Sequence, residues 1–555
     1  MGSMPADRPR SRHYYVENFE QLVGTVLERY QDLLTLEELD FVDRYRALSP
    51  AARFLWLRLT SRKGPLFRQD RLSYAEVPDL VGTALELRGA TLLDDAPDAE
   101  PADLLKLLMR AELEMVIVEL GKMAATRGRR KSELVGDLLE RFSAPLLNRA
   151  VRHHVEVLRP LGQRALRVFR LLFFGNLRQD WTELLLADLQ VWRYEPYPLQ
   201  NETRLFPTRE AIDDTVAIHA QLSLARALLR EKDLGGALAV ARYAQERIPA
   251  WHLTARTGVE HILGEVASSL ERAGELVDAL ELYAATTRPP ARERRARILA
   301  RLDRTRAALE VCRNIERSPR DESERLFAPR FSYTLRRRLG QIPAAYRARR
   351  SRRLLQLPRS TGAPIEAEVL EELARQGCPG IHSENWLWRS LFGLSFWDII
   401  FLPVPGAFQH PFQSAPLDLY DPAFRSRREA AVTVRLQEIE GGEWPAARIL
   451  EVWSQKEGTR NALVSWSPTL RASLELALSP LLSSHLAAVC RRLSRDLRRY
   501  RSGFPDLFVQ RDQAPGYELL EVKGPGDQLR PEQRGWLDYF EHVGIPATVL
   551  AVEWR

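Results

Sequence analysis

Gly503-Phe504-Pro505-Asp506-Leu507, followed after a short link by the run Tyr517 to Lys523 and then Gly524-Pro525, decides how the C-terminal part of the chain is read. The segment Tyr517 to Lys523 has the pattern of a strand. Side chains alternate faces along a strand, so Glu521 and Lys523 share one face, roughly 6–7 Å apart. Asp506 opens a preceding strand, Leu507 to Gln510. The link from Arg511 to Gly516 holds Asp512, Pro515 and Gly516, residues that favour turns, so the two strands are expected to pair as a hairpin that brings Asp506 to Glu521. Two carboxylates and an ammonium around one point suit a hard cation with a basic neighbour. An ion pair on a sheet surface would explain Lys523 and one carboxylate, but not the second carboxylate on the same face.

Outward from this hairpin, two more segments belong to the same argument. Gly380-Ile381-His382-Ser383-Glu384 runs into the apolar segment from Leu391 to Phe401, which places a carboxylate at the mouth of a buried helix, a costly position without a partner. Downstream, Gln533-Arg534-Gly535-Trp536-Leu537 lies on a helix whose apolar face includes Leu529, Trp536, Leu537 and Phe540, and a last apolar strand follows from Thr548 to Val552. The segment from Cys490 to Arg499 leads into Asp506; at helical spacing Arg491, Arg495 and Arg498 fall on one side, and Arg492 and Arg499 on another, so one arginine stripe is expected to face the phosphates of an acidic partner.

The string G-F-P-D-L, E-V-K-G-P-G-D-Q-L, Q-R-G-W-L resembles the VRR-NUC domain, a branch of the PD-(D/E)XK nuclease superfamily. With Gly380 to Phe401 and Pro416-Leu417-Asp418-Leu419 added, it resembles the Fanconi-associated nuclease family in its bacterial form. The resemblance implies that Glu384, Asp506, Glu521 and the main-chain carbonyl of Val522 hold Mg²⁺ or Mn²⁺, that Lys523 positions or activates the attacking water, and that Gln533 orients substrate or lysine. It further implies a structure-specific DNA nuclease, a phosphodiesterase I type hydrolase with 5′-flap endonuclease and 5′ to 3′ exonuclease activity, in interstrand-crosslink repair. Its partner would be DNA: branched, 5′-flap, single-stranded or with duplex ends. The residues themselves argue for phosphodiester hydrolysis. A DNA-binding scaffold with a relic nuclease domain is disfavoured by the intact acidic set, and a restriction or recombination enzyme of the same superfamily by the upstream helical segments.

The remaining chain is compatible with this reading. With 555 residues it exceeds one core, and its 45% hydrophobic and 28% charged residues suit an ordinary globular protein. Lys and Arg number 81 against 74 Asp and Glu, and the cations are mostly arginine, which favours an acidic partner. The three cysteines, Cys312, Cys378 and Cys490, are too scattered for a disulfide framework or a structural zinc site. The cysteines make a reducing cytoplasm, or a nucleus in a eukaryote, the expected setting, and no apolar run reaches the roughly 18–20 residues that cross a bilayer, so no membrane role is expected. Met1-Gly2-Ser3 reads as a cloning scar.

The expected fold is multidomain and predominantly α-helical, with a C-terminal α/β nuclease domain. Residues 4–95 read as a helical DNA-binding region in which Arg58, Arg62, Lys63, Arg68 and Arg71, interleaved with Trp56, Phe67 and Tyr74, either grip phosphates or cover a core. An acidic linker from Asp94 to Asp103 leads to 100–145, two helices around a basic joint that resemble a SAP module, with Arg129, Arg130 and Lys131 as candidate DNA contacts. Residues 146–363 are expected to form a helical region with tetratricopeptide-like repeats, marked by recurring segments at Gly235, Gly274 and Arg306. Such stacks bind partners on a concave face, and the arginines from Arg294 to Arg306 could equally cradle DNA; further positive charge follows from Arg336 to Arg338 and from Arg347 to Arg353. The nuclease domain is expected over 364–555. His153 and His154 are adjacent on a helix and are expected to point apart.

Overall fold

A five-stranded sheet near the C-terminus carries the expected hairpin, and its ladder shows why the hairpin is only part of the site. The computed structural model describes residues 14–121, 128–179, 184, 193–247, 253–341, 352–358, 362–467 and 469–554. Met1 to Ser3, Arg127, Trp181, Trp192 and the residues 347–351 of the basic run therefore lie outside the described residues. The chain divides into two units, Pro5–Val191 and Trp192–Arg555.

In the first unit, helices Tyr14–Tyr30, Leu36–Ala47 and Pro50–Ser61 pack around Phe19, Phe41, Tyr45 and Trp56. Thr35 and Glu38 close a reciprocal cap at the start of the second helix. The basic and aromatic interleaving is divided: Arg62, Lys63 and Arg71 are exposed, and the rest is internal. Trp56 is core, Arg68 is buried and forks between Asp70 and Glu112 at 2.7 and 2.5 Å, and Arg58 donates to Tyr15. A small sheet joins β1 (Phe67–Arg68), β3 (Val157–Pro160) and β2 (Leu93–Asp94). The stretch from Asp94 to Asp103 is consequently not a loose linker: Asp94 belongs to β2 and pairs with Arg159 at 2.6 Å, and Pro101 starts a helix, Pro101–Leu107. Because β3 lies beyond residue 146 and pairs with strands before 95, the segments 4–95, 100–145 and the start of 146–363 are tied into this one unit.

In the second unit, helices Arg209–Arg230, Leu234–Glu246, Leu253–Ala273, Leu276–Ala285, Ala291–Arg301, Thr305–Arg317 and Glu322–Arg338 form successive helical hairpins. The three recurring segments all fall at the start of a hairpin's second helix. Several of the arginines between them bind consecutive hairpins together: Arg294 with Glu271 at 2.5 Å, Arg292 with Glu324 at 2.5 Å, and Arg297 over the Phe327 ring at 4.8 Å. Packing is thus the role that Arg294 and Arg297 take. Among the described residues no helix is long and apolar enough to cross a membrane.

The five-stranded sheet has the order β4 (Arg352–Leu357), β8 (Ala547–Trp554), β7 (Tyr517–Lys523), β6 (Leu507–Gln510), β5 (Gly380–His382). Leu507, Val509, Leu520 and Val522 face Val369 and Leu373 of helix Ile365–Arg375. Phe508, Tyr517 and Leu519 face the larger core on the other side, and by strand alternation Glu521 and Lys523 point that way too. That core is held by an aromatic column. Phe504 stacks on Trp536 at 4.0 Å and on Trp388 at 5.7 Å, joining the loop before Asp506 to helices Pro531–Val543 and Glu384–Ser395. Phe504→Ala should lower stability by about 3–5 kcal/mol, the cost of removing a buried ring, read as a lower midpoint of urea unfolding followed by tryptophan fluorescence.

Candidate active site

Two registers bring the acidic residues together. In the antiparallel pair β6 and β7, Leu507 faces Leu520, so one step further Asp506 faces Glu521. In the antiparallel pair β5 and β6, His382 faces Leu507, and the next step sets Ser383 against Asp506. Main-chain bonds complete that step: the N–H groups of Ser383 and Glu384 both donate to the Asp506 carbonyl, at 2.8 and 3.1 Å. Glu384 is delivered at the first residue of its helix, with φ of 20°, at the edge of a region that side-chain-bearing residues rarely occupy.

Glu521 is completely buried, yet it is a carboxylate. Its Oε1 accepts from Lys523 Nζ at 2.6 Å and from Gln533 Nε2 at 2.5 Å. Its Oε2 is buried with no hydrogen-bond partner. Burial, and then the charge of Asp506, push its pKa up to about 7. Burial likewise raises Asp506 above the usual carboxylate range, opposed by the Val522 N–H, which donates to Asp506 Oδ2 at 2.8 Å. Within a strand the N–H and C=O of one residue project to the same side, so the Val522 carbonyl is also directed past the end of β6 toward Asp506. An unpartnered buried carboxylate oxygen beside two further carboxylates fits a divalent cation, and Lys523 supplies only part of the compensating charge.

The supporting residues have definite tasks. Gln533 uses its other end to accept the N–H of Arg530 at 2.9 Å, so both its polar atoms are engaged and its role is to hold Glu521 in place. Asn385 was not legible as functional in the sequence; it donates to Glu384 Oε1 at 2.9 Å and accepts from the Gly503 N–H at 2.8 Å, coupling the Glu384 helix to the loop before Asp506. Gly503 has φ of 89°, and a Cβ there would lie 2.7 Å from the Glu532 main-chain carbon, so only glycine lets this loop touch the start of the Gln533 helix.

The expected DNA contacts fare unevenly. Arg491, Arg495 and Arg498 do not form one stripe, because the helix stops at Asp496, whose side chain caps a separate short helix, Leu497–Tyr500. Arg491 pairs with Glu440 at 2.6 Å, while Arg495 and Arg498 are exposed. Arg492 is buried beneath Trp536, Tyr500 and Tyr539 and donates to the Gly535 carbonyl. In the basic joint, Arg129 pairs with Asp137 at 2.6 Å, and Lys131 donates to the carbonyls of Lys106 and Leu108, satisfying the end of a helix. Arg130 is exposed. Adjacent His153 and His154 do converge, on Glu119 at 3.4 and 2.8 Å, because the helix that carries them ends at His154. Among the described residues this is the one trio of such side chains whose ligand atoms lie within 4.8 Å of one another; the acidic triad is more open, with Glu521 drawn to Lys523 and Gln533.

Comparison with known proteins bears on both fold and site. The VRR-NUC domain model matches residues 442–554, and a model described as FAN1, HTH domain matches residues 13–94. Glu384 falls before the first of these matches and reaches the site only through the β5–β6 ladder. A Fanconi-associated nuclease 1 homolog from Pseudomonas aeruginosa is 32% identical over 98% of this chain and 96% of its own. The rice homolog is 27% identical over 98% of this chain and 63% of its own. Among solved structures, paFAN1 bound to 5′-flap DNA carrying a 2-nucleotide flap and a gap is similar with a TM-score of 0.84 at 31% identity, covering 99% of this chain and 100% of that one. The fold and the site together define a DNA nuclease with a PD-(D/E)XK type centre. The chain belongs to the Fanconi-associated nuclease family. It is a structure-specific nuclease that hydrolyses DNA phosphodiester bonds, and DNA is its partner.

Replacing Gln533 by alanine should free Glu521 to stay on Lys523 and lower cleavage by about 10–100-fold, the usual effect of losing a residue that orients a ligand. Gln533→Glu should be at least as damaging, since it places another carboxylate against Glu521; single-turnover cleavage of labelled DNA separates the two.

Proposed function

We propose that this nuclease cuts 5′-flap DNA endonucleolytically near the junction and then degrades it 5′ to 3′, using Mg²⁺ or Mn²⁺, in interstrand-crosslink repair. The observation that carries the reading is the fully buried Glu521, with one carboxylate oxygen unpartnered, set between Asp506, Glu384 and Lys523. The flap substrate is supported by the similarity to paFAN1 structures with flaps of 2 nucleotides and 1 nucleotide.

Glu384, Asp506 and Glu521, with the Val522 carbonyl, would hold the cation, which when bound supplies Lewis-acid polarisation of the phosphoryl group and makes the attacking water more acidic. The chain's own groups do the rest. Lys523 Nζ, placed by the strand on the same face as Glu521, stabilises negative charge developing on the phosphoryl oxygens and orients the water. The Val522 N–H fixes Asp506, Gln533 fixes Glu521, and Asn385 fixes Glu384, so the three carboxylates are held near one point and closing the open triad on a cation takes only side-chain movement. Oxygen-only ligands with high charge select Mg²⁺ or Mn²⁺ over softer ions.

Cleavage of labelled 5′-flap, single-stranded and duplex DNA, with Mg²⁺, Mn²⁺ or EDTA, tests this reading. Asp506→Ala and Lys523→Ala should each lower single-turnover cleavage by about 10²-fold or more, and EDTA should abolish it. Activity in EDTA, or undiminished cutting by Asp506→Ala, would sink the site. Equal rates on all three substrates would remove the flap preference.

A further inference from the structure

Several arginines of the second unit are already held by carboxylates: Arg491 by Glu440 at 2.6 Å, Arg499 by Asp321 at 2.7 Å, Arg353 and Arg511 both by Glu518 at 2.9 and 3.0 Å. Two beside the acidic triad are placed differently. Arg389 lies on the helix that begins at Glu384, and its Nε–H donates to the Asn385 carbonyl at 3.1 Å, which fastens its half-buried guanidinium to the turn that carries Glu384. Arg501 is exposed, lies two residues before Gly503, and rests over the Tyr420 ring at 4.6 Å from its centroid. Neither guanidinium has a carboxylate in salt-bridge contact among the described residues.

These groups are not independent. Arg389 feels the charges of Tyr420, Arg501 and Glu384, and burial, aided by Arg501, holds it below its ordinary pKa. Two cations kept in mutual range, with no carboxylate in salt-bridge contact, repel each other, and the repulsion grows as water is excluded. A phosphodiester relieves it, because a guanidinium offers a planar fork to two phosphate oxygens, and an aromatic ring beneath one of the forks limits its directions. The position sets which phosphate. With its Nε–H on the Asn385 carbonyl, the Arg389 guanidinium lies by the first turn of the helix that begins at Glu384, so the phosphate it can reach is one beside the candidate cation site.

We propose that Arg389 and Arg501, with Tyr420 beneath Arg501, form a phosphate subsite that grips the DNA backbone beside the bond being cut. This rests on the reading of Glu384, Asp506 and Glu521 as the cutting site. The subsite binds by charge and geometry, so it acts on backbone of any sequence. Its two halves come from segments separated in the chain, the Glu384 helix and the loop before Asp506, so gripping the backbone also presses those two segments into register.

The test uses the full chain. Binding of labelled flap DNA is measured by fluorescence anisotropy across a salt series, in an Asp506→Ala background, for Arg389→Ala, Arg501→Ala and Arg389→Lys. Each alanine variant should lower the slope of log affinity against log salt by about 0.7–0.9, the counterions no longer released by one phosphate contact. Arg389→Lys should restore the slope while binding more weakly than arginine, because an ammonium lacks the fork. In the background with Asp506 intact, the loss should fall more on KM than on kcat. An unchanged salt slope in both alanine variants overturns the subsite. If Arg389→Ala loses its fold, the exposed Arg501→Ala decides alone, and an unchanged slope there overturns the pairing. Failure of the cutting site is a separate result: it shows as cleavage surviving Asp506→Ala and leaves the slopes as they are.

Discussion

A carboxylate sealed from water must be compensated, and Glu521 is the point from which the nuclease unit is arranged. Its burial alone would cost several kcal/mol and drive it to the neutral form. The chain answers with an ammonium two residues along the same strand and an amide from the next helix, while Asp506, its own charge steadied by the Val522 N–H, adds to the negative charge to be met. One oxygen is still left unpartnered. The arrangement fits a cation, and the sheet order, the helix after β7 and the entry of β5 all converge on it.

Holding those parts at fixed spacing falls to aromatic packing. Phe504 lies between Trp388 and Trp536, so the loop bearing Asp506, the helix bearing Glu384 and the helix bearing Gln533 share one stack. Arg492 extends the stack, lying over Trp536, Tyr500 and Tyr539 and bonding the Gly535 carbonyl. The Trp536 indole N–H also bonds the carbonyls of Tyr500 and Ser502. Rigid carbon packing here protects the geometry of a polar site a few residues away, since interiors shift little when closely packed.

Much of this is legible in the amino-acid sequence alone. The period of two places Glu521 and Lys523 on one face, the turn residues between Arg511 and Gly516 imply the hairpin, and the recurring segments at Gly235, Gly274 and Arg306 mark the helical hairpins. The arginines are not legible in the same way. Spacing alone puts Arg491, Arg495 and Arg498 on one helix face, but Asp496 caps its own short helix and breaks the series. Arg492, Arg294 and Lys131 look like free charge and are spent on rings, carboxylates and carbonyls. The histidine pair errs in the other direction: a helix end lets neighbouring side chains turn together, so His153 and His154 meet at Glu119.

The sequence by itself determined the chemistry: which residues bear the charges, that two of them alternate correctly along a strand, and that glycine and proline frame them. Those facts are local, set by backbone period and residue type. Tertiary structure decided the membership of the site. Glu384 lies more than a hundred residues before Asp506 and meets it only because β5 pairs with β6 in a register that sets Ser383 opposite Asp506. Asn385, Gln533 and Arg389 acquired their tasks in the same way, from helix starts brought against that register. Beyond local pairs such as Glu521 and Lys523, partner choice for a side chain is a matter of distance after folding, which spacing along the chain does not encode.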